Sequence, residues 1–92
     1  MRFKFDTAKS DLLRNNPKRG IGFEEAREIW RHPYYEDQRS DVPEQYRAIG
    51  WVSGKLYSVV FEIREDRHGE YTHLVTLWES TRQERKLYEK DK

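Results

Sequence analysis

The chain has 92 residues and no cysteine, which limits both its size and its chemistry. A chain this short forms one domain, residues 1–92, and buries only about 60 to 65% of its unfolded surface. Without cysteine it can form no disulfide, thiolate metal site or cysteine nucleophile, so we expect a reducing, cytoplasmic location. No segment has the apolar character of a signal peptide or a membrane span, so we expect a soluble protein with no membrane association.

Charged residues make up 38% of the chain and aromatic residues 14%. The aromatic side chains supply enough bulky apolar surface for a core, so the chain is expected to fold despite its low hydropathy. The net charge of +1 hides an asymmetry, because residues 1–20 are basic and residues 24–44 are acidic. The basic end suits a phosphate-bearing partner, although an ordinary solvated surface explains it equally well.

The first third of the chain predicts one strand followed by two helices. Residues 3–5 alternate apolar and polar side chains, and a cap residue then precedes a helix over residues 7–15. A proline ends this helix, and residues 18–22 form a flexible basic turn. A second helix is expected from Phe23, where apolar residues recur at helical spacing, to His32.

The middle of the chain predicts a sheet. Residues 34–44 are polar and acidic and indicate a long loop, with a short edge strand as the alternative. Three strands are expected at residues 46–52, 56–64 and 71–78. Short turn sequences join them, which predicts an antiparallel meander.

The last helix begins with a capping box, formed by Ser80 or Thr81 with Gln83 or Glu84 three residues later. The element order β-α-α-β-β-β-α predicts an α+β fold with an antiparallel sheet and helices packed mainly on one side. This final helix has few apolar side chains. Two interpretations stay open: it binds a partner protein, or it is a solvated helix pinned by Tyr88.

Five short motifs extend over nearly the whole chain. They are Phe5-Asp6 with Lys9, residues 15–26 (NNPKRGIGFEEA), residues 47–50 (RAIG), Val59-Val60-Phe61 with Arg64, and Glu84-Arg85 with Tyr88-Glu89. In this order and spacing they resemble the BrnT family of toxins from bacterial type II toxin–antitoxin systems. The resemblance implies a RelE-like fold and a metal-independent endoribonuclease that inhibits translation. It also implies a cognate DNA-binding antitoxin that neutralises the toxin in a hetero-oligomer.

Two departures from the family pattern bear on activity. The chain has Lys18-Arg19-Gly20 where the family usually has Lys-His-Gly, and Thr76-Leu77-Trp78 where it usually has Ser-Ala-Arg. The second departure removes a cation from the expected face of the sheet, so we expect it to lower cleavage. The alternative is a catalytically impaired binding protein that acts through a partner in antitoxin-linked transcriptional regulation.

Cleavage of RNA without a metal needs a base, a stabiliser of phosphate charge and an acid. Arg64 and Arg47, on neighbouring predicted strands, are candidate catalytic residues that hold phosphate, and Lys18 is a third that faces the phosphorane. The alternative for each arginine is a surface residue paired with Glu62 or Glu44. No carboxylate set has metal-binding spacing, so no metal site and no cofactor are expected.

Further residues are candidates for contact with the RNA substrate or with the antitoxin. The RNA-binding candidates are Arg19, His73, Trp78, Arg82 and Arg85, and the partner-binding candidates are Lys86, Tyr88 and Lys90. For two of them a second interpretation remains. His73 is either an acid or base or a strand residue that points to solvent. Trp78 either stacks on a base or covers the core.

Overall fold

The computed structural model describes residues 1–90 and shows a five-stranded mixed sheet with three α-helices. The elements in chain order are β1 Phe3–Lys4, α1 Thr7–Asn15, α2 Phe23–Ala26, a 3₁₀ helix Arg27–Arg31, β2 Tyr35–Asp41, β3 Glu44–Val52, β4 Lys55–Asp66, β5 Gly69–Glu79 and α3 Arg82–Lys90. The α+β class and the three-strand meander are confirmed. Within residues 1–90, no helix has the length and apolar content that crossing a membrane requires.

The sheet is mixed, which corrects the expectation of a wholly antiparallel one. Its strand order is β1-β5-β4-β3-β2, and the four later strands pair antiparallel with their neighbours. The short strand β1 instead lies parallel to β5, with Phe3 opposite Thr72 and Lys4 opposite His73. This pairing joins the two ends of the chain, so no local sequence pattern reports it.

Two elements differ from their sequence predictions. The acidic stretch predicted as a long loop contains the seven-residue edge strand β2, the alternative interpretation. Tyr35 is the one large apolar residue of this strand, so its sequence lacks the alternation of apolar residues that identifies a half-buried strand. The second predicted helix is one α-helical turn, α2, that continues as the 3₁₀ helix.

The main core lies on one face of the sheet, which we call the inner face. Helices α1 and α2 and the 3₁₀ helix supply Leu13, Phe23 and Ile29 to it, and these pack with sheet residues such as Val59 and Phe61. Burial of these large side chains drives the three segments onto the sheet.

Helix α3 packs on the opposite face, the outer face. Its Tyr88 contacts Ile49 and Leu56 there, so the helices do not all share one side of the sheet. The predicted capping box is confirmed for Thr81 and Glu84: the Thr81 amide donates to Glu84 Oε1 at 2.8 Å, and the Glu84 amide donates to Thr81 Oγ1 at 3.2 Å. This box fixes the start of α3 at Arg82, three residues after the end of β5.

A bulge in β5 interrupts the alternation of inner-face and outer-face residues along this strand. Val60 lies opposite Thr76 and Phe61 lies opposite Leu74, so Val75 is an extra residue without a cross-strand partner. Leu77 is fully buried in the inner core. The next core residue of β5 is Leu74 and not Val75, which simple alternation from Leu77 would place there.

Candidate functional site

The outer face is open at the end of the sheet that α3 does not cover. Phe61 belongs to the inner core, so its strand neighbours Glu62 and, two residues on, Arg64 point to the outer face. The strand pairing places Glu62 opposite His73 and Arg64 opposite Tyr71. We call Glu62, Arg64, Tyr71 and His73 the open-end quartet. Their side chains lie in two neighbouring cross-strand pairs, close enough to act on one ligand.

Glu62 links the quartet to the neighbouring strand. Arg64 donates to Glu62 Oε1 from Nη2 at 2.6 Å and from Nε at 2.9 Å. Gln45 of β3 donates from Nε2 to the other oxygen, Glu62 Oε2, at 2.7 Å. The pairing of Arg64 with Glu62 is the alternative that the sequence left open. The guanidinium is nonetheless half-exposed, with 48% of the side chain accessible, so an anion can still reach it.

The surroundings set the charge states of this patch. The Gln45 hydrogen bond and the neighbouring Arg64 hold the pKa of Glu62 below its usual range, although partial burial opposes them. Burial lowers the pKa of His73, and the positive charges of Arg64 and Lys9 lower it further, although the Glu62 carboxylate opposes them. His73 is therefore a neutral imidazole near pH 7, able to accept a proton, beside a carboxylate and a guanidinium.

Arg47 lies on the same face, beside the quartet. It is opposite Val60, which precedes Glu62 by two residues on β4, so Arg47 and Glu62 are about 7 Å apart along the strand direction. Its Nε donates to Asp37 Oδ1 at 3.0 Å, its Nη2 to Asp37 Oδ2 at 2.5 Å and its Nη1 to Glu84 Oε2 at 3.3 Å. Arg47 is thus paired with Asp37 and Glu84. The hydrogen bonds to Asp37 and the charge of that carboxylate are the main causes that raise the pKa of Arg47. The predicted alternative of a pair with Glu44 is wrong.

Trp78 lies on the outer face, opposite Ser58. Its indole Nε1 donates to Glu84 Oε1 at 2.9 Å, and the Arg39 guanidinium lies 5.0 Å from its ring centroid. The half-buried ring therefore bridges β5 and the start of α3, with a cation over it. This position fits the interpretation that Trp78 covers other residues better than the interpretation that it stacks on a base.

Glu84 is the buried carboxylate that joins these groups, with 6% of its surface exposed. Burial acts to raise its pKa, but the hydrogen bonds from the Thr81 amide and Trp78, together with the charge of Arg47, bring it below the usual range. Glu84 is thus ionised and holds three elements, β3, β5 and α3, at one point.

The turn that carries Lys18 and Arg19 lies far from the quartet. Tyr57 donates from its hydroxyl to the Arg19 carbonyl at 2.7 Å, and Arg19 Nε donates to the Leu77 carbonyl at 2.8 Å. Tyr57 is seven residues before Arg64 on β4, a separation of about 23 Å. The structure therefore does not bring Lys18 into one site with Arg64, and Arg19 has a structural role at the edge of β5.

The basic residues of α3 form a separate exposed surface. Arg82, Lys86 and Lys90 are exposed, and the Arg85 guanidinium lies 5.3 Å from the ring centroid of Trp51. Tyr88 is buried against Ile49 and Leu56, which fits the anchoring role of the alternative interpretation, and its contact with a partner protein stays a prediction.

Sequence reasoning missed several residues of this face. They are Glu62 and Tyr71 as members of a site, and Asp37, Arg39 and Glu84 as partners of the predicted residues. The capping box could have identified Glu84, because the third residue of such a box turns its carboxylate back towards the preceding strand. Asp37 lay in the stretch predicted as a loop. No group of three His, Cys, Asp or Glu side chains within residues 1–90 is placed to hold a metal ion.

No protein-family model matches this chain, and no curated protein matches it in sequence. The resemblance to the BrnT family stays a prediction from the five motifs.

Proposed function

We propose that this protein is a metal-independent endoribonuclease of the toxin type, with the open-end quartet as its active centre. The observation that supports this most strongly is the pairing of Glu62 with His73 and Arg64 with Tyr71 on one open sheet face. Cleavage of RNA without a metal needs a base at the 2′-hydroxyl, a cation at the phosphate and an acid at the 5′-oxygen. The quartet contains one candidate for each task.

In this proposal the neutral His73 accepts the proton of the 2′-hydroxyl as its oxygen bonds to phosphorus. Arg64 stabilises the added charge on the phosphate oxygens, and the Tyr71 hydroxyl donates a proton to the leaving 5′-oxygen. Glu62 orients Arg64 and stabilises the imidazolium that forms. The products are a 2′,3′-cyclic phosphate and a 5′-hydroxyl.

Neighbouring cations extend the binding surface for RNA. Lys4 lies opposite His73 on one side, with its Nζ 4.3 Å from the Tyr71 ring centroid. Arg47 lies about 13 Å from Arg64 along the strand direction, on the same face. Arg64 and Arg47 are then two phosphate contacts for a single strand that runs along β4, with Arg47 partly exchanging its carboxylate partners for phosphate.

We extend the proposal to the biological role that the sequence resemblance implies. The chain is then a RelE-like member of the BrnT family, inhibits translation in the cytoplasm and is neutralised by a cognate DNA-binding antitoxin in a hetero-oligomer. The α+β fold supports this at a coarse level. The exposed basic residues Arg82, Lys86 and Lys90 of α3 offer a surface for the antitoxin or for RNA.

Two observations favour a second candidate, a non-catalytic binding protein that acts through its partner in transcriptional regulation. Arg47 is held by two carboxylates, and Trp78 stands where the family usually has an arginine. Both features reduce the positive charge available on the outer face. This candidate requires the same partner but no cleavage.

The test is incubation of the purified chain with a fluorescent single-stranded RNA in the presence of EDTA. We expect fragments that end in a 2′,3′-cyclic phosphate, and slower bacterial growth when the chain is expressed without a partner. A cell-free translation reaction shows whether ribosomes are needed. Folded protein that cleaves no RNA in either setting, with normal growth under strong induction, would refute the nuclease and favour the second candidate.

Matched variants assign the active centre. His73→Asn should abolish cleavage, whereas His68→Asn, in the exposed β4–β5 turn, should retain it. Equal activity of both variants, with unchanged thermal unfolding, would remove His73 from the mechanism.

A further inference from the structure

The inner face carries a pocket at the end of the sheet beyond the 3₁₀ helix. Its volume is about 290 Å³, near the lower end for small-molecule pockets. Four aromatic side chains line it, Trp30, Tyr34, Tyr46 and Phe61, together with Met1, Glu36, Ile63 and Thr72. The pocket lies on the opposite face of the sheet from the open-end quartet.

Two ring pairs pack at steep angles and a third is stacked. Trp30 meets Phe61 edge to face, with centroids 5.4 Å apart and planes at 83°, and it meets Tyr34 at 5.9 Å and 56°. Tyr46 lies against Phe61 at 5.7 Å and 28°. Trp30, Tyr34 and Tyr46 are each only partly buried, so solvent reaches the ring cluster. An aromatic face carries partial negative charge and attracts cations.

The pocket wall includes one carboxylate. Glu36 is the one acidic side chain among the described residues that line this pocket. Burial and the charge of Glu36 raise the pKa of the Tyr34 hydroxyl, and a hydrogen bond to Glu44 raises that of Tyr46. The lining therefore combines negative potential from a carboxylate with aromatic faces.

Among the described residues, no lysine or arginine side chain lines this pocket, whereas the first residue of the chain, Met1, does. Arg27 and Arg31 line a separate hollow beyond Trp30 and do not line the aromatic pocket. Among the described lining residues, no lysine or arginine side chain neutralises Glu36 within the pocket. A ligand with a compact positive head group matches the aromatic walls and this carboxylate together.

We propose that this pocket binds the head group of an organic cation, an ammonium or a guanidinium. The cation lies against the aromatic rings and pairs with Glu36, as in aromatic cages that recognise alkylammonium groups. The group belongs either to a free amine or to a lysine or arginine side chain of a partner protein. This site does not depend on the nuclease activity proposed above.

The experiment follows the Trp30 indole N–H signal by ¹⁵N NMR during titration with tetramethylammonium chloride at constant ionic strength. Trp30→Phe, Trp51→Phe and Trp78→Phe variants assign the three indole signals. We expect a saturable shift of the Trp30 signal and none of the Trp51 and Trp78 signals. tert-Butanol, an uncharged ligand of similar shape, should give a much smaller shift.

The Glu36→Gln variant should weaken tetramethylammonium binding by about two- to fivefold, the range for cation recognition at a partly exposed site. Glu70→Gln, on the exposed surface beyond this pocket, is the matched control and should leave binding unchanged. No saturable Trp30 shift, or equal binding of tert-butanol, would overturn the proposal. Equal effects of the two glutamate variants would also overturn it, because they would reflect general charge alone.

A second titration distinguishes the sources of the cation. It compares choline with N-acetyl-arginine amide and N-acetyl-lysine amide. Tighter binding of the amino-acid amides indicates a side chain from a partner protein, and tighter binding of choline indicates a free amine. Both results support the cation site.

Discussion

Replacement of Glu84 by alanine is the sharpest test of the structural account of the outer face. The carboxylate is 6% exposed and accepts hydrogen bonds from the Thr81 amide at 2.8 Å, Trp78 Nε1 at 2.9 Å and Arg47 Nη1 at 3.3 Å. Glu84→Ala leaves these three donors without their acceptor and removes half of the capping box.

The size of the loss follows from these contacts. Each hydrogen bond to a charged group contributes about 1.5 to 3 kcal/mol, and loss of a helix cap costs about 1 kcal/mol. The terms are not additive, since Arg47 keeps Asp37 and exposed donors regain water. We expect a loss of about 3 to 4 kcal/mol from a total of about 5 to 10 kcal/mol. The melting temperature should fall by about 15 to 25 °C.

Urea unfolding, monitored by circular dichroism and tryptophan fluorescence, measures this loss. Gln83→Ala, at an exposed position beside Glu84 on the same helix, is the control and should stay within about 0.5 kcal/mol of the wild type. A Glu84→Ala variant as stable as the Gln83→Ala variant would refute the reasoning. The carboxylate would then not join α3 to the sheet.

Four further outcomes are expected. In acid, the lowered pKa of Glu84 means that its contribution is complete above about pH 5 and is lost as the pH falls through the folded-state pKa. The Glu84→Gln variant should therefore lose less stability than the wild type between about pH 5 and pH 3 in urea unfolding. Arg64→Ala should abolish RNA cleavage with a melting temperature within a few degrees of the wild type, because an exposed ion pair contributes under about 1 kcal/mol; a large drop in thermal stability would instead make Arg64 structural. Trp78→Arg places a cation about 13 Å from His73 along β4, so steady-state kinetics should show a KM lower by about three- to tenfold with kcat unchanged; a rise in kcat would place this position in the active centre. Gly22→Ala should lower the free energy of unfolding by about 1 to 3 kcal/mol, because a Cβ there would lie 2.8 Å from the Ser10 carbonyl oxygen. A variant with wild-type stability would show that α1 and α2 can move apart without cost.

The sequence predicts those parts of the fold that have local signals. The alternation along residues 46–52 and 56–64 and the short turn between them specify a hairpin, because pairing partners lie close in sequence. The capping box at Thr81 is equally local. The edge strand β2 has no such signal, since charged side chains on both of its faces resemble a loop.

The candidate site was harder to predict, because it depends on register between strands. Arg64 and His73 were each candidates, but their placement on one face follows from the pairing of Glu62 with His73 across the β4–β5 hairpin. The partners of Arg47 are 10 and 37 residues away in sequence, and neither distance follows from a periodic pattern. Val75 shows the same limit, since one inserted residue changes which side chains reach the core.

The parallel pairing of β1 with β5 also affects how the chain folds during synthesis. The amide of Thr72 donates to the carbonyl of Arg2, so the first strand has no place in the sheet until the fifth has left the ribosome. The β3–β4 hairpin, made of neighbours in sequence, can form earlier. Strand β1 therefore stays unpaired through most of translation, although Phe3 and Phe5 can already meet Trp30 and Phe23, which are made early.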